Sequence, residues 1–324
     1  MLEGSFYYAI IFNVMNKRIV FMGTPAFAAN VLRGLIENNY NIVGVVSQAD
    51  KKVGRKQILT ASPVKEVALE YNLPIFTPIS IKDDYQGILD LNPDLIITCA
   101  YGQFIPSKLI EYPEYKSINI HGSLLPKYRG GAPIQWSIIN GDEKTGISII
   151  YMTKKMDAGD ILYMKDLDID IRDTNASLFN RLSDLARECI LDFLPNFFEG
   201  KFERIAQDES LVSFSYNLTK EDEYIHFNND VLKVYNHIRG LLDEPGAYSV
   251  LNGKKYKFVE VFYEYSDNCS PCDFKGLEKD YLRIDCRNGF IKVYKIRPEG
   301  KNTMDAKSFY NGAGKNLVGG MFDE

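Results

Sequence analysis

The chain has 324 residues, 45% of them hydrophobic and 25% charged, with a formal net charge of -5. That profile excludes a disordered or fibrous protein and predicts about two domains. The acidic balance excludes binding of nucleic acid by bulk positive charge, while leaving room for a local basic patch. No apolar run approaches the ~18 residues of a membrane span. The longest candidate, Phe6 to Met15, holds Asn13, and Lys17 and Arg18 follow it instead of preceding it, which is not the order of a secretory signal. A cytoplasmic protein with no membrane partner is expected.

Residues 1–14 fit no amphipathic period and are expected to be an extension or the product of an early start codon. From Met15 onward, apolar strand-like runs alternate with helical stretches. They are Arg18 to Gly23, a helix from Ala26 to Glu37, a strand from Ile42 to Ser47, a basic loop, a helix around Val64 to Tyr71, the short run Leu73 to Phe76, and a strand from Asp94 to Ala100. The series continues with Ser117 to Gly122, a helix from Pro133 to Asn140, a strand from Gly146 to Met152 and a long helix from Ala176 to Leu194. Strands apolar on both faces and separated by helices predict an α/β domain with a mostly parallel sheet covered on both sides.

From Gly200 the pattern becomes a polar connector and then short strands, GAYSVL, YKFVEVFY, YLRIDC and FIKVYKI, with one helix near Val231 to Arg239. This predicts a small β-barrel or β-sandwich. The boundary is expected near residue 208, giving an extension (1–14), a first domain (15–207) and a second (208–324).

Five cysteines, Cys99, Cys189, Cys269, Cys272 and Cys286, are an odd, scattered set and no disulfide framework. The CxxC at Cys269 and Cys272 lacks the further ligands of a zinc site, so reduced thiols and no metal are expected. The first strand ends in MGTPAF, with Gly23 alone where a dinucleotide fold needs G-x-G-x-x-G. Signatures of nucleotide hydrolysis, zinc proteolysis and serine esterases are missing as well.

One of the three histidines, His121, lies in Asn119-Ile120-His121-Gly122, at the carboxyl end of a predicted strand. Open α/β sheets bind ligands at that end, and alternation puts Asn119 and His121 on one face. Met156-Asp157-Ala158-Gly159-Asp160 places a carboxylate in the loop after the next apolar strand. An amide, an imidazole and a carboxylate can stabilise an oxyanion and move protons. Spacing alone leaves open that Asn119 and His121 satisfy loop backbone and that Asp157 caps a turn. His226 and His237 are expected to be surface or helix-face residues.

The run NIHGSLLPKYRGGAP, Asn119 to Pro133, resembles the signature of formyltransferases that use 10-formyltetrahydrofolate. With MGTPAFA, SPVK at Ser62 to Lys65, AYGQFIP at Ala100 to Pro106 and MDAGDIL at Met156 to Leu162, order and spacing are similar to the branch that acts on methionyl-tRNA. The likeness continues through NHIRGL at Asn236 to Leu241 and GKNTMDAKSFYNG near the C-terminus.

The resemblance implies a Rossmann-like catalytic domain joined to an OB-like barrel that contacts tRNA. It also implies transfer of the formyl group of 10-formyltetrahydrofolate to the α-amino group of methionyl initiator tRNA, by a chain expected to be a monomer. Asn119 and His121 would donate to the oxyanion, and Asp157 would orient His121 and take the amine's proton. Ser123, Leu124, Leu125 and Pro126 would hold the folate, with Tyr101, Gly102 and Ile105 lining the same slot. Lys51, Lys52, Arg55 and Lys56, four cations in six positions, would grip the acceptor end through its phosphates. Lys254, Lys255 and Lys257 are the candidate tRNA cluster of the second domain. Where the family carries an Asn-Pro-Trp-Pro-like turn after NHIRGL, this chain has Leu242-Asp243-Glu244-Pro245.

Three rival readings stand beside this one. A sugar-amine formyltransferase is expected to lack the basic loop, a formyltetrahydrofolate hydrolase has no need of the barrel, and a non-catalytic nucleic-acid-binding module fits neither the acidic balance nor the Asn/His/Asp set.

Overall fold

The structure is a computed structural model and describes residues 16–54 and 56–324. Arg55 and the expected extension therefore lie outside the described residues. In chain order the first elements are β1 (Ile19–Gly23), α1 (Ala26–Glu37), β2 (Ile42–Val46), β3 (Lys51–Val53), β4 (Ile58–Thr60), α2 (Pro63–Glu70), β5 (Ile75–Phe76) and α3 (Gln86–Leu89). There follow β6 (Leu95–Cys99), α4 (Ser107–Glu111), β7 (Ser117–His121), β8 (Arg129–Gly130), α5 (Pro133–Ile139), β9 (Lys144–Tyr151), β10 (Ile161–Asp168) and α6 (Asn175–Phe198). After β11 (Phe214–Ser215) come α7 (Val231–Leu241), β12 (Tyr248–Leu251), β13 (Lys254–Tyr265), β14 (Phe274–Glu278), β15 (Tyr281–Cys286), β16 (Gly289–Pro298), β17 (Met304–Asp305) and α8 (Ala306–Gly312).

Two compact units divide the chain. One holds the residues up to Gly131 with Thr145–Leu167 and Phe179–Phe214, and the other holds Ala132–Lys144, Asp168–Leu178 and Ser215–Glu324. The division differs from a single cut near 208. The connector stays with the first unit as far as Phe214, because Arg129 N donates to Ser213 O at 2.9 Å and Tyr128 N to Ser213 Oγ at 3.0 Å.

The first unit is built on a seven-stranded sheet of order β10-β9-β7-β6-β1-β2-β5. β1 runs parallel to β2 and β6, β2 to β5 and β6 to β7, while β9 is antiparallel to β7. All five residues of β1 and of β6 are buried, as expected of central strands covered on both faces. Gly23 is a packing residue: a Cβ there would lie 2.6 Å from Ala28 Cβ and 2.9 Å from Cys99 O. Helix α2 starts on a side-chain cap, Ser62 accepting from Lys65 N, with Pro63 in its first turn.

The basic loop and the edge strand β10 differ from the sequence expectation. The basic loop folds as an antiparallel hairpin pairing Lys51 with Thr60 and Val53 with Ile58, and all six strand residues are exposed. Val53, Ile58 and Thr60 favour extended backbone, and Gly54 turns the chain at φ +71. The edge strand β10 has no strand signature in the sequence, because its residues beyond Leu162 alternate between partly buried and exposed and carry Lys165, Asp166 and Asp168.

The second unit carries an antiparallel sheet of order β12-β13-β16-β15-β14, with β17 pairing onto β16. Its edges are bridged by the segment 319–323. Asp323 N donates to Val250 O at 2.8 Å beside β12, while Phe274 N donates to Gly320 O at 3.0 Å and Phe322 N to Cys272 O at 2.9 Å beside β14. This seam closes the sheet into the expected barrel-like form. Val231, Val234, Ile238 and Leu241 of α7 share one apolar core with Phe258, Ile284, Ile291 and Val293. Within this unit Arg239 of NHIRGL is a structural tie, its Nη1 donating to Asp170 O at 3.1 Å and Asp173 O at 2.8 Å. Among the described residues, no helix is long and apolar enough to cross a membrane.

Candidate active site

Strand β7 ends at His121, and its pleat aims Asn119 and His121 at the same side. Asp157 comes from the turn after β9, in the left-handed backbone region at φ +50. The three side chains meet. Asn119 Nδ2 lies 3.3 Å from Asp157 Oδ1, and His121 Nδ1 lies 3.6 Å from Asp157 Oδ2, with Asp157 only 13% exposed. Backbone completes the carboxylate's shell, since Gly130 N donates to Asp157 Oδ2 at 2.9 Å.

The orientation of each group follows from its partners. A carboxylate only accepts, so the Asn119 amide must turn its nitrogen to Asp157 and its oxygen to Thr98, whose hydroxyl donates to Oδ1 at 2.7 Å. Thr98 is the register neighbour of Asn119 across β6 and β7. Asn119 thus spends one amide N–H on Asp157 and retains a second. The Nε2 of His121 lies 2.9 Å from the carbonyl of Tyr128, which makes Nε2 the protonated nitrogen and leaves Nδ1 facing the acid. Both ring nitrogens are therefore turned to protein acceptors, and direct donation from His121 to an oxyanion would require the ring to leave one of them.

The stretch from Ser123 to Pro126 is a tightly bonded turn. Ser123 Oγ donates to Lys127 O at 2.6 Å, Ser148 Oγ donates to Ser123 O at 2.7 Å, and Leu125 N donates to Ser148 Oγ at 3.1 Å. Leu125 is buried with Ile150 and Ile161, and Leu124 packs where a Cβ on Gly146 would stand. The side chain of Tyr101 lies in the core with Val20, Met22 and Val46, and Ile105 packs against the same cluster. Burial pushes the Tyr101 hydroxyl up to about 12. The Tyr101 carbonyl accepts from Thr24 Oγ1 at 2.9 Å and Gln48 Nε2 at 3.0 Å. Gly102 beside it is exposed.

Lys51, Lys52 and Lys56 are exposed on the hairpin. Lys254 is exposed, while Lys257 Nζ donates to Pro245 O at 2.9 Å, holding the turn in which the chain departs from the family pattern. The CxxC cysteines are thiols in a hydrogen-bonded loop, Cys269 on Ser266 O and Cys272 on Glu324 Oε1.

Sequence reasoning missed Thr98, Arg129 and Gln207. Thr98 left a signal, a lone hydroxyl in the apolar run Leu95–Cys99. Arg129 lay inside the quoted motif without a role. Gln207 had none, being a polar residue in a polar connector.

Comparison with known proteins places this chain in a family. Residues 17–194 match the formyl transferase domain and residues 217–314 the formyl transferase C-terminal domain. The methionyl-tRNA formyltransferase of Ligilactobacillus salivarius is 47% identical over 304 residues, 92% of this chain and 96% of that protein. That of Malacoplasma penetrans is 41% identical over 305 residues, 94% of this chain and 96% of that protein. Among solved structures, an N-formyltransferase from Helicobacter canadensis in complex with folinic acid and dTDP-3-aminofucose has a TM-score of 0.67 at 19% identity, covering 86% of this chain and 98% of that one. HypX from Aquifex aeolicus has a TM-score of 0.65 at 19% identity, covering 93% of this chain and 50% of that one. At those identities the two structures speak to the fold alone. On the length and identity of its matches across both units, this chain belongs to the methionyl-tRNA formyltransferases.

Proposed function

We infer that this chain transfers the formyl group of 10-formyltetrahydrofolate to the α-amino group of methionyl initiator tRNA. The observation that carries the reading is the correspondence with methionyl-tRNA formyltransferases over 92% of the chain, through both units. The chemistry starts from a neutral amine; a free α-amino group has a pKa of ~8, and the adjacent ester lowers it, so a strong base is not demanded. The amine attacks the formyl carbon, a C–N bond forms, and a tetrahedral oxyanion develops. Collapse breaks the bond to N10 of the folate, which takes up a proton as the amine loses one.

In this reaction the uncommitted N–H of Asn119 donates to the oxyanion, the larger share of the electrostatic work. Asp157 accepts the amine's proton, and His121 shares that proton at Nδ1 while Nε2 stays on the Tyr128 carbonyl. The turn at Ser123, Leu124, Leu125 and Pro126, with backbone at Tyr101 and Gly102 and with Ile105 behind it, bounds the pterin. Backbone amides and carbonyls suit a flat heterocycle edged with donors and acceptors. Lys51, Lys52, Arg55 and Lys56 hold acceptor-end phosphates, and Lys254 and Lys255 add contacts from the second domain. The chain works as a cytoplasmic monomer, with a catalytic part ahead of a tRNA-contacting part.

The test is incubation with 10-formyltetrahydrofolate and either methionyl initiator tRNA, an amino-sugar nucleotide or buffer. Formyl product on the tRNA alone is expected. Equally fast tetrahydrofolate release in buffer would make the chain a hydrolase, and a formylated sugar would move it to the sugar-amine branch. A single species of one-chain mass in solution is the companion expectation.

A further inference from the structure

The backbone of the turn that carries Asp157 is held by the side chain of Gln207. Gln207 Nε2 donates to two backbone carbonyls at once, Asp157 O at 2.8 Å and Gly159 O at 2.8 Å. On its other side, Gln207 Oε1 accepts from Arg129 Nε at 3.0 Å and Nη2 at 2.9 Å. The guanidinium is buried, 4% exposed, and also reaches Glu209 at 2.8 Å, which holds the Glu209 carboxyl below the usual carboxylate range. The residue after Arg129 is Gly130, whose N–H donates to Asp157 Oδ2. The contacts therefore form a ring that leaves Asp157 by its carboxylate and returns to it by its carbonyl.

This ring restrains a backbone that would not otherwise stay put. Asp157 is in the left-handed region at φ +50, where a residue with a Cβ is strained. The turn has no slack on its inner side, because a Cβ on Gly159 would stand 1.7 Å from Tyr151 O. Two carbonyls aimed at one point need a neutral group with two N–H donors, and a guanidinium needs an acceptor. A primary amide offers both at opposite ends. Glutamate in its place would still accept from Arg129 but would set a lone pair against the two carbonyls.

We propose that Gln207 is a positioning residue for Asp157, so that the connector out of the catalytic unit supplies part of the apparatus that holds the proton acceptor. The proposal rests on Asp157 having the role assigned above. It predicts that Gln207 works through Asp157 and through nothing else.

The experiment uses the full chain in four forms, Gln207→Met, Gln207→Glu, Asp157→Ala and Gln207→Met with Asp157→Ala. Single-turnover rate, KM for methionyl-tRNA, folate affinity and Tm are measured on each. Both Gln207 variants are expected to lose about 10- to 100-fold in rate, with KM and folate affinity within about twofold of the parent. The double variant is expected to be no slower than Asp157→Ala, the non-additivity of residues that act as one unit. Parent-like rates in the Gln207 variants overturn the proposal, as does a double variant slower than Asp157→Ala by the full Gln207 factor. Loss of folding in both Gln207 variants makes the residue a structural tie and overturns it too. A parent-like rate in Asp157→Ala instead sinks the assignment of Asp157, an outcome separate from the others.

Discussion

The imidazole of His121 is fixed by the carbonyl of Tyr128, 2.9 Å from Nε2, seven residues along the same loop. A carbonyl cannot donate, so the tautomer is decided there: Nε2 carries the proton and Nδ1 faces Asp157.

Replacing Asn119, His121 or Asp157 by Ala is expected to lower kcat by at least ~100-fold each: the proposed role of Asn119 is as an oxyanion donor, whose removal costs ~2.7–4 kcal/mol of barrier, and that of His121 and Asp157 is to move the amine's proton, worth ~10²–10⁴-fold. The proteins should remain folded, as the three side chains sit at a strand end and a turn. Turnover close to the parent in a folded variant would remove that residue from the mechanism.

Thr98→Val keeps the shape of the side chain and deletes the hydrogen bond to Asn119 Oδ1. The amide then loses one of its two restraints, and kcat should drop about tenfold through misorientation of the donor. Stability should fall by ~1 kcal/mol for the lost bond. Steady-state kinetics with a urea titration separate the two effects, and unchanged kcat would show that Asp157 alone orients the amide.

Gly159→Ala must move the turn, because the new Cβ would meet Tyr151 O at 1.7 Å. The expected cost is ~1–3 kcal/mol of overpacking, read as a lower Tm, together with a fall in kcat as Asp157 shifts. A variant with parent Tm and kcat would mean that this turn yields freely.

Arg55→Ala is expected to raise the KM for methionyl-tRNA and to reduce the salt slope of binding by about one. Folate affinity and stability should not change. Kinetics at two salt concentrations decide it, and unaltered tRNA kinetics would leave the cation as a solvated charge.

The buried environment of His237 lowers its pKa below the ordinary 6.5, even though Nε2 donates to Asp222 O at 2.7 Å. The unfolded ring therefore takes a proton before the folded one. Its contribution to stability is complete above pH 6.5, declines as pH falls below 6.5, and is gone once pH has fallen through the lower folded pKa. Chemical denaturation between pH 7.5 and 5.5 should show a steeper acid-side loss for the parent than for His237→Gln, and superimposable curves would contradict it.

The parallel strands of the first unit were legible because β1, β2 and β6 are apolar on both faces. Asn119 and His121 were legible because a strand end exposes its alternation. The hairpin of Lys51–Val53 and Ile58–Thr60 was not, since lysines in an exposed strand have the composition of a loop. Strand β14 was hidden by Gly276 and Lys275, although Phe274 anchors it in the core. The supports of the site were the least legible, because the Tyr128 carbonyl, the Gly130 N–H and the Asp157 carbonyl are backbone groups that every residue type possesses. Gln207 and Arg129 become meaningful only when folding brings those groups to them.

The seam at 319–323 orders events in time as well as in space. The strands it joins, β12 and β14, leave the ribosome before it does. During that interval the nascent sheet offers two unpaired edges, the surfaces on which extended segments of other chains add. The α/β unit, whose last residue is Phe214, can by then be complete. The later-made domain thus carries a kinetic hazard of its own during biosynthesis, and a short deletion that removes the seam is expected to promote aggregation while sparing Asn119, His121 and Asp157.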